Sequence, residues 1–401
     1  MAVELTAKTP PGERLVVLAE ALAEELRPAA ASHDQDRSYA FEGLETIKAS
    51  GYLSAPVPVK LGGLGVSSTH DLLVAASRLA RGDAALTIGV NMHVTYVLNL
   101  ERRYRLAVDL GNVRNIEALA ASLEALAQDG HVYAAAVSEP RQDLIRPETV
   151  AAAIDNGWIV TGTKIFCTMS PGADRLYTAV TFLDRQGRES YGYATVPTDA
   201  PGVVIHDDLD ALGMRASGSN SVTFENVRLP ADALRGGFPV GHAGEYMERN
   251  LDAGLFHAAA ALGIAEEAHH FASRRMAANG RAPAARAQSL VADNAVDLAA
   301  GRGTLSRAGS LLDDSFRSGW KIEPMLLFGE VQAAKAFIAE AAVRIVDRAL
   351  ALSGGAGYLN SSPLSRAYRD VRATAFMHPL GANRAYDYLA ELELGRIPSL
   401  R

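Results

Sequence analysis

Three side chains have types and surroundings that suit proton or hydrogen-bond chemistry: His93, His378 and Thr168. An imidazole titrates near neutral pH and can take or give a proton there. His378 is flanked by Phe376, Met377 and Leu380, an apolar setting that slows water-driven side reactions, and Pro379 stiffens the turn that presents the ring. His93 lies in "GVNMHVTY", among Val90, Met92, Val94 and Tyr96. A histidine so placed is either catalytic or a satisfied member of the core. Ser138 and Thr168 follow β-like runs, where a hydroxyl is either a ligand contact or an ordinary turn or strand group. In "LSGGAGY", Gly354, Gly355 and Gly357 can expose backbone N–H groups and admit a pyrophosphate, or cap a helix. Asp252 is either a reactive carboxylate or a helix cap.

Other chemistries are disfavoured. The single cysteine, Cys167, allows no disulfide within the chain and no cysteine cluster for zinc; it fits a reducing cytoplasm and reads as packing. His269 and His270 are neighbours in sequence and do not share a helix face, so no metal site is expected. His206 and His242 read as exposed or structural. No GxGxxG follows a strand, which removes an NAD(P)H-binding unit. The net charge of -7 and scattered arginines argue against a nucleic-acid partner. The start "MAVELTAKTPPGERL" shows no signal peptide, and no apolar run is long enough for a membrane span, so the expected location is cytoplasmic.

The elements that must position these residues change character twice. Residues 1–130 read as helical: Leu15, Leu18, Leu22 and Leu26 form one stripe, "YAFEGLETIKASGYL" is a helix closed by Gly51, and two further helices break near Gly82-Asp83. "PVPVKLGGLG" is a punctuated loop. Residues 131–240 hold six short β-rich runs, with a hairpin turn expected at Asn156-Gly157 in "IDNGWIV" and another turn in "LDRQGRES". Six strands joined by turns indicate a small antiparallel barrel or sandwich. Residues 241–401 return to helix, with a loop expected around 280–288 and a long apolar stripe through Val331, Ala334, Ile338, Ala341 and Ile345 that Gly354-Gly355 stops.

Five stretches, in order and across nearly the whole chain, resemble the acyl-CoA dehydrogenase superfamily: "AVSEP", "GWIVTGTKIFCTMSPGADRLY", "LGMRASGSNSVTFENVRLP", "LSGGAGY" and "PLSRAYRD". The resemblance implies an α+β fold: an N-terminal helical domain over 1–130, a central antiparallel β-barrel or sandwich over 131–240 and a C-terminal four-helix bundle over 241–401. It implies a flavin between the β-domain and the C-terminal helices, lined by Val137, Ser138, Phe166, Cys167 and Thr168. It also implies that the 354–357 loop reaches the flavin of a neighbouring subunit, hence a homodimer or homotetramer. That loop favours FAD over FMN, although FMN stays possible. Arg274 or Arg275 is the remnant of the family's adenine-end motif, degraded here to "SRRMAANGR", and Ala351 replaces its glutamine.

The resemblance departs from the dehydrogenases at the catalytic base. Where the family pattern carries a glutamate shortly after "RD", this chain reads "FMHPLG", and Leu255-Phe256-His257 stands where a CoA-contacting arginine is common. His378 in that place resembles the branch of flavin-dependent monooxygenases with this fold, and His93 is placed like a second histidine of that branch. Such enzymes receive reduced FAD from a separate reductase, bind O2 at C4a of the ring and transfer one oxygen atom to a small molecule. The implied reading is hydroxylation of an aromatic or heteroaromatic substrate such as an indole or phenol. An amino-sugar N-oxygenase, a dehydrogenase with a displaced base and a non-catalytic flavin-binding subunit are the alternatives. His257 is a candidate pocket residue.

Overall fold

A computed structural model describes residues 3–141, 143–278, 284–318 and 322–400. Six helices come first: α1 (Pro10–Leu26), α2 (Ala30–Asp36), α3 (Phe41–Ala49), α4 (Thr69–Leu79), α5 (Ala84–Asp109) and α6 (Val113–Asp129). Their starts follow from capping chemistry. The Thr9 hydroxyl accepts from Gly12 N ahead of two prolines, and the Asp83 carboxylate accepts from Leu86 N, which begins α5 just past the Gly82 break. Every residue of α4 is buried, as expected of a helix enclosed on all sides rather than amphipathic.

Eight strands follow: β1 (Tyr133–Ala136), β2 (Val150–Ile154), β3 (Gly157–Cys167), β4 (Arg175–Leu183), β5 (Glu189–Pro197), β6 (Val203–Ile205), β7 (Asn220–Pro230) and β8 (Leu234–Pro239). They form one sheet in the order β6-β7-β3-β2-β4-β5-β8, with β1 beside β4. The sheet is mixed, which corrects the antiparallel expectation: β4 runs parallel to both β1 and β2. Two strands escape the sequence pattern. β6 is only three residues long, and β8 reads "LRGGFP", whose glycines and proline mask an edge strand. The β2–β3 hairpin turns at Asp155-Asn156, one residue earlier than expected. Gly157 belongs to the strand because a Cβ there would lie 2.0 Å from the Leu229 carbonyl oxygen of β7. The "LDRQGRES" turn forms as read, held by Asp184 accepting from the Gln186 and Arg188 amides.

The remaining helices are α7 (Ala243–Arg249), α8 (Leu255–Ala278), α9 (Ala285–Ser318), α10 (Pro324–Ser353), α11 (Gly355–Tyr358), α12 (Pro363–Val371) and α13 (Ala382–Glu393). α8, α9 and α10 pack on one another, and α12 and α13 close over α10. The loop expected at 280–288 lies in part outside the described residues, and α9 has begun by Ala285. Every residue from Leu255 to Glu266 is buried, so α8 is the central helix of this region. Glu266 joins the two helical regions, taking Arg81 just past α4 and Arg302 of α9 at 2.7 Å each, with Arg78 of α4 at 3.3 Å. No described helix is long and apolar enough to cross a membrane.

Candidate active site

The helical regions and the sheet meet around a cavity of about 1160 Å³. One wall is the end of β3. Phe166 (φ 52°) and Met169 (φ 69°) sit in the left-handed region, which costs a non-glycine residue about 1–3 kcal/mol. This bend turns Thr168 toward the cavity, where its Oγ1 accepts from Ser219 Oγ at 2.9 Å; Ser219 in turn pairs with Ser217 at 2.7 Å. The exit of β1 is stitched to the same end by Ile165 N donating to the Ser138 carbonyl at 2.9 Å, so Val137 and Ser138 also line the cavity. Cys167 does not. Side chains alternate along a strand, so Phe166 and Thr168 face the cavity while Cys167 is buried behind them, its thiol pushed up to about 12 by burial. Its expected place among the flavin-lining residues is corrected accordingly.

The opposite wall carries His378, in the connection between α12 and α13. The His378–Pro379 peptide bond is cis. The Tyr246 hydroxyl lies 2.9 Å from Nε2. Burial, then the positive charges of Lys335 and Arg384, hold the ring's pKa at about 3, so it is neutral. Burial raises Tyr246 well above its ordinary value, so the phenol keeps its proton and shares a hydrogen bond with Nε2.

The turn is held from behind by Lys335 of α10. This lysine is 2% exposed, and its Nζ donates to the carbonyls of Met377, of Leu380 at 2.9 Å and of His378 at 3.4 Å. Burial pushes its pKa down to about 7. Gly254 (φ 86°) allows this packing, since a Cβ there would stand 2.9 Å from Lys335 Cδ and 3.0 Å from Pro379 Cδ.

Of the other candidates, His257 and Asp252 line the cavity and the rest fall elsewhere. His93 is buried and outside the cavity lining. Its Nδ1 accepts from Tyr133 N at 3.0 Å, and burial lowers its pKa to about 4. In this structure it holds β1 against α5, the core alternative. Arg274 and Arg275 lie near the end of α8 away from the cavity, with Arg274 paired to Glu267 at 3.1 Å. Gly354 and Gly355 end α10 outside the lining, with open space around them. Asp252 does not cap α8 with its side chain; it lines the cavity and accepts from Arg102 Nη1 at 2.7 Å.

Two features were not singled out in the sequence. Arg102, Arg103, Arg105, Arg235, Arg369, Arg372 and Arg384 all line the cavity, against only Asp109 and Asp252. Arg235 and Arg372 have no ion-pair partner among the described residues. Beside Arg235 runs a ladder of tyrosines. Tyr133 stacks on Tyr96 at 4.3 Å and Tyr177 on Tyr193 at 4.6 Å, with Tyr96 tilted against Tyr177 at 5.3 Å. The only signal available in sequence was the number of arginines and tyrosines, which does not reveal that they converge.

The three buried histidines make stability pH-dependent. Their folded pKa values, about 4 for His93 and about 3 for His257 and His378, lie below the ordinary 6.5. Between these values the unfolded chain binds more protons than the folded one, so stability is fully present above pH 6.5 and is lost as pH falls toward 3. The expected slope reaches about 4 kcal/mol per pH unit for three protons, read from urea unfolding at a series of pH values. A flat profile between pH 6.5 and 4 would show that these rings are charged in the folded state.

The residues present fit a flavin. Strand-end amides, the Thr168 hydroxyl and the exposed rings of Phe166 and Phe376 can meet a planar heterocycle. A helical, sheet and helical order around such a cavity defines an acyl-CoA dehydrogenase scaffold. Models of the N-terminal, middle and C-terminal domains of acyl-CoA dehydrogenase match residues 17–103, 134–227 and 255–379. The chain belongs to the acyl-CoA dehydrogenase family. Within it, the chain is 31% identical to the amino sugar nitrososynthase DnmZ of Streptomyces peucetius, over 97% of this chain and 95% of that protein. It is also 31% identical to the L-evernosamine nitrososynthase of a Micromonospora strain, over 96% and 91% of the two chains. The solved structure of KijD3 in complex with FMN and dTDP-3-amino-2,3,6-trideoxy-4-keto-3-methyl-D-glucose superposes with a TM-score of 0.89 at 27% identity, covering 97% of this chain and 95% of that one.

Proposed function

We propose that this protein is a flavin-dependent oxygenase that oxidises the amino group of a sugar carried on a nucleoside diphosphate. The observation that carries the reading is the arginine around the cavity: of seven, Arg102, Arg105 and Arg369 are paired with Asp252, Glu101 and Asp34, while Arg235 and Arg372 have no ion-pair partner among the described residues. An indole or phenol has no anion to match these groups, whereas a diphosphate does. The nitrososynthase relatives favour the same choice, the alternative set beside aromatic hydroxylation.

Reduced flavin, FAD or FMN, supplies two electrons and activates O2. The amine, O2 and reduced flavin yield the hydroxylamine, water and oxidised flavin. A second round yields the nitroso sugar and two waters. The protein's own residues supply the setting. Neutral His378, fixed by Tyr246 and by the Lys335-held turn, holds or moves a proton at Nδ1. Phe376 and Met377 keep water from that end, and Arg235 and Arg372 hold phosphate. A separate reductase supplies the reduced flavin, and the 354–357 turn serves a neighbouring subunit of a homo-oligomer.

The test supplies free reduced FMN or FAD and O2 together with a thymidine-diphosphate-linked 3-amino-sugar, and separately with indole. Mass spectrometry should show the amino sugar gaining oxygen. An inert amino sugar beside an oxidised indole would reverse the choice. Thr168→Val is expected to weaken flavin binding roughly 2- to 10-fold by loss of one neutral hydrogen bond, followed by quenching of flavin fluorescence. Unchanged affinity would remove the hydroxyl from the flavin contact.

A further inference from the structure

Two buried polar atoms on the cavity wall lack partners among the described residues: Asp252 Oδ1 and His257 Nδ1. Asp252 is 1% exposed and His257 6% exposed, and both sit at the start of α8. The Asp252 carboxylate is locked in place. Its Oδ2 accepts from Arg102 Nη1 at 2.7 Å, Arg102 Nη2 donates to Thr69 Oγ1 at 2.8 Å, and the guanidinium lies 3.7 Å from the Phe316 ring centroid. The Asp252 carbonyl takes Leu255 N at 3.1 Å in the turn before α8, and the first bond of the helix runs from Ala258 N to the Gly254 carbonyl at 3.1 Å, so Asp252 is not the capping residue. A buried acceptor left without a donor is destabilising, and structures keep such groups where a ligand satisfies them.

We propose that Asp252 Oδ1 and His257 together form the subsite that takes the primary amino group of the substrate. This rests on the reading of the protein as an amino-sugar oxygenase and names the residues that choose the amine. A primary amine carries at least two N–H donors and can satisfy two acceptors at once, whereas a sugar hydroxyl carries one donor. His257 suits the second contact: burial, then the Lys335 charge, hold its pKa at about 3, so the ring is neutral and Nδ1 can accept. Charge also orients the ligand. Arg235 and Arg372 line the cavity without an ion-pair partner among the described residues and draw the diphosphate, while Asp252 Oδ1 and His257 Nδ1 offer acceptors that suit an amine.

Equilibrium binding to the flavin-loaded protein tests this with two probes, a thymidine-diphosphate-linked 3-amino-sugar and its 3-hydroxy counterpart. Wild type should prefer the amino ligand by about 10-fold or more. Asp252→Asn and His257→Phe should each weaken the amino ligand by about 10-fold while moving the hydroxy ligand less than about 2-fold. Circular dichroism confirms that each variant folds; if Asp252→Asn does not, His257→Phe alone decides. Unchanged amine affinity in the folded variants, or equal weakening of both ligands, would overturn the subsite while leaving the proposed function in place. Failure of wild type to bind either sugar nucleotide would overturn the function and the subsite together.

Discussion

Replacing His378 with alanine is expected to leave oxidation of reduced flavin by O2 running while product per flavin consumed falls by about 10²-fold or more, with hydrogen peroxide making up the difference. The expectation follows from geometry. His378 is the imidazole on the cavity wall that Tyr246 holds through Nε2 and that burial keeps neutral. Oxygen transfer to an amine needs a proton delivered to the departing oxygen and one taken from nitrogen, and a neutral, positioned imidazole serves either step. Tyr246→Phe keeps the ring but removes the hydrogen bond that orients it, so a smaller loss of roughly 3- to 10-fold is expected. The measurement is the ratio of product to peroxide at equal flavin consumption, on protein whose melting temperature has been checked. Full coupling in His378→Ala would remove the ring from proton handling.

The second large effect is expected at Arg235. This residue lies opposite Tyr193 in the β5–β8 ladder, beside the stacked tyrosines, and has no ion-pair partner among the described residues. A guanidinium bonded to a phosphate oxygen contributes about 1.5–3 kcal/mol, so Arg235→Ala should weaken the sugar nucleotide roughly 10- to 100-fold. Flavin affinity should stay within about 2-fold, because the strand-end residues expected to meet the ring, Val137, Ser138, Phe166 and Thr168, come from β1 and β3. The loss should shrink as salt is raised, since wild-type affinity itself falls. Titration with both ligands at low and moderate ionic strength reads the split. If Arg235→Ala weakens flavin and leaves the sugar nucleotide unchanged, the two anion sites are exchanged.

Much of the scaffold was legible because it depends on short-range rules. The leucine stripe of α1, the Gly82-Asp83 break, the turn at Asp184–Arg188 and the glycine stop after α10 each involve residues within one or two helical turns or one hairpin. The cavity-lining strand ends were legible for the same reason: Ser138 and Thr168 follow directly from where β1 and β3 stop. Errors arose where a local pattern serves a distant neighbour. Gly157 resembles a turn residue yet is needed for the approach of β7, and Cys167 lies between two cavity residues yet faces the opposite way.

The sequence by itself determined the order of helices, sheet and helices, the absence of a dehydrogenase-type glutamate after "RD" and the presence of His378 in its place. Only the tertiary structure decided which polar residues share the cavity. Asp252 meets Arg102 across 150 positions, Lys335 reaches the His378 turn from another helix, and His93 turns to the core. The physical reason is that helix and strand periodicities specify which face of an element is buried. Which buried groups then face one another depends on how the elements are rotated and packed, and that is settled by the summed fit of side chains far apart in the chain.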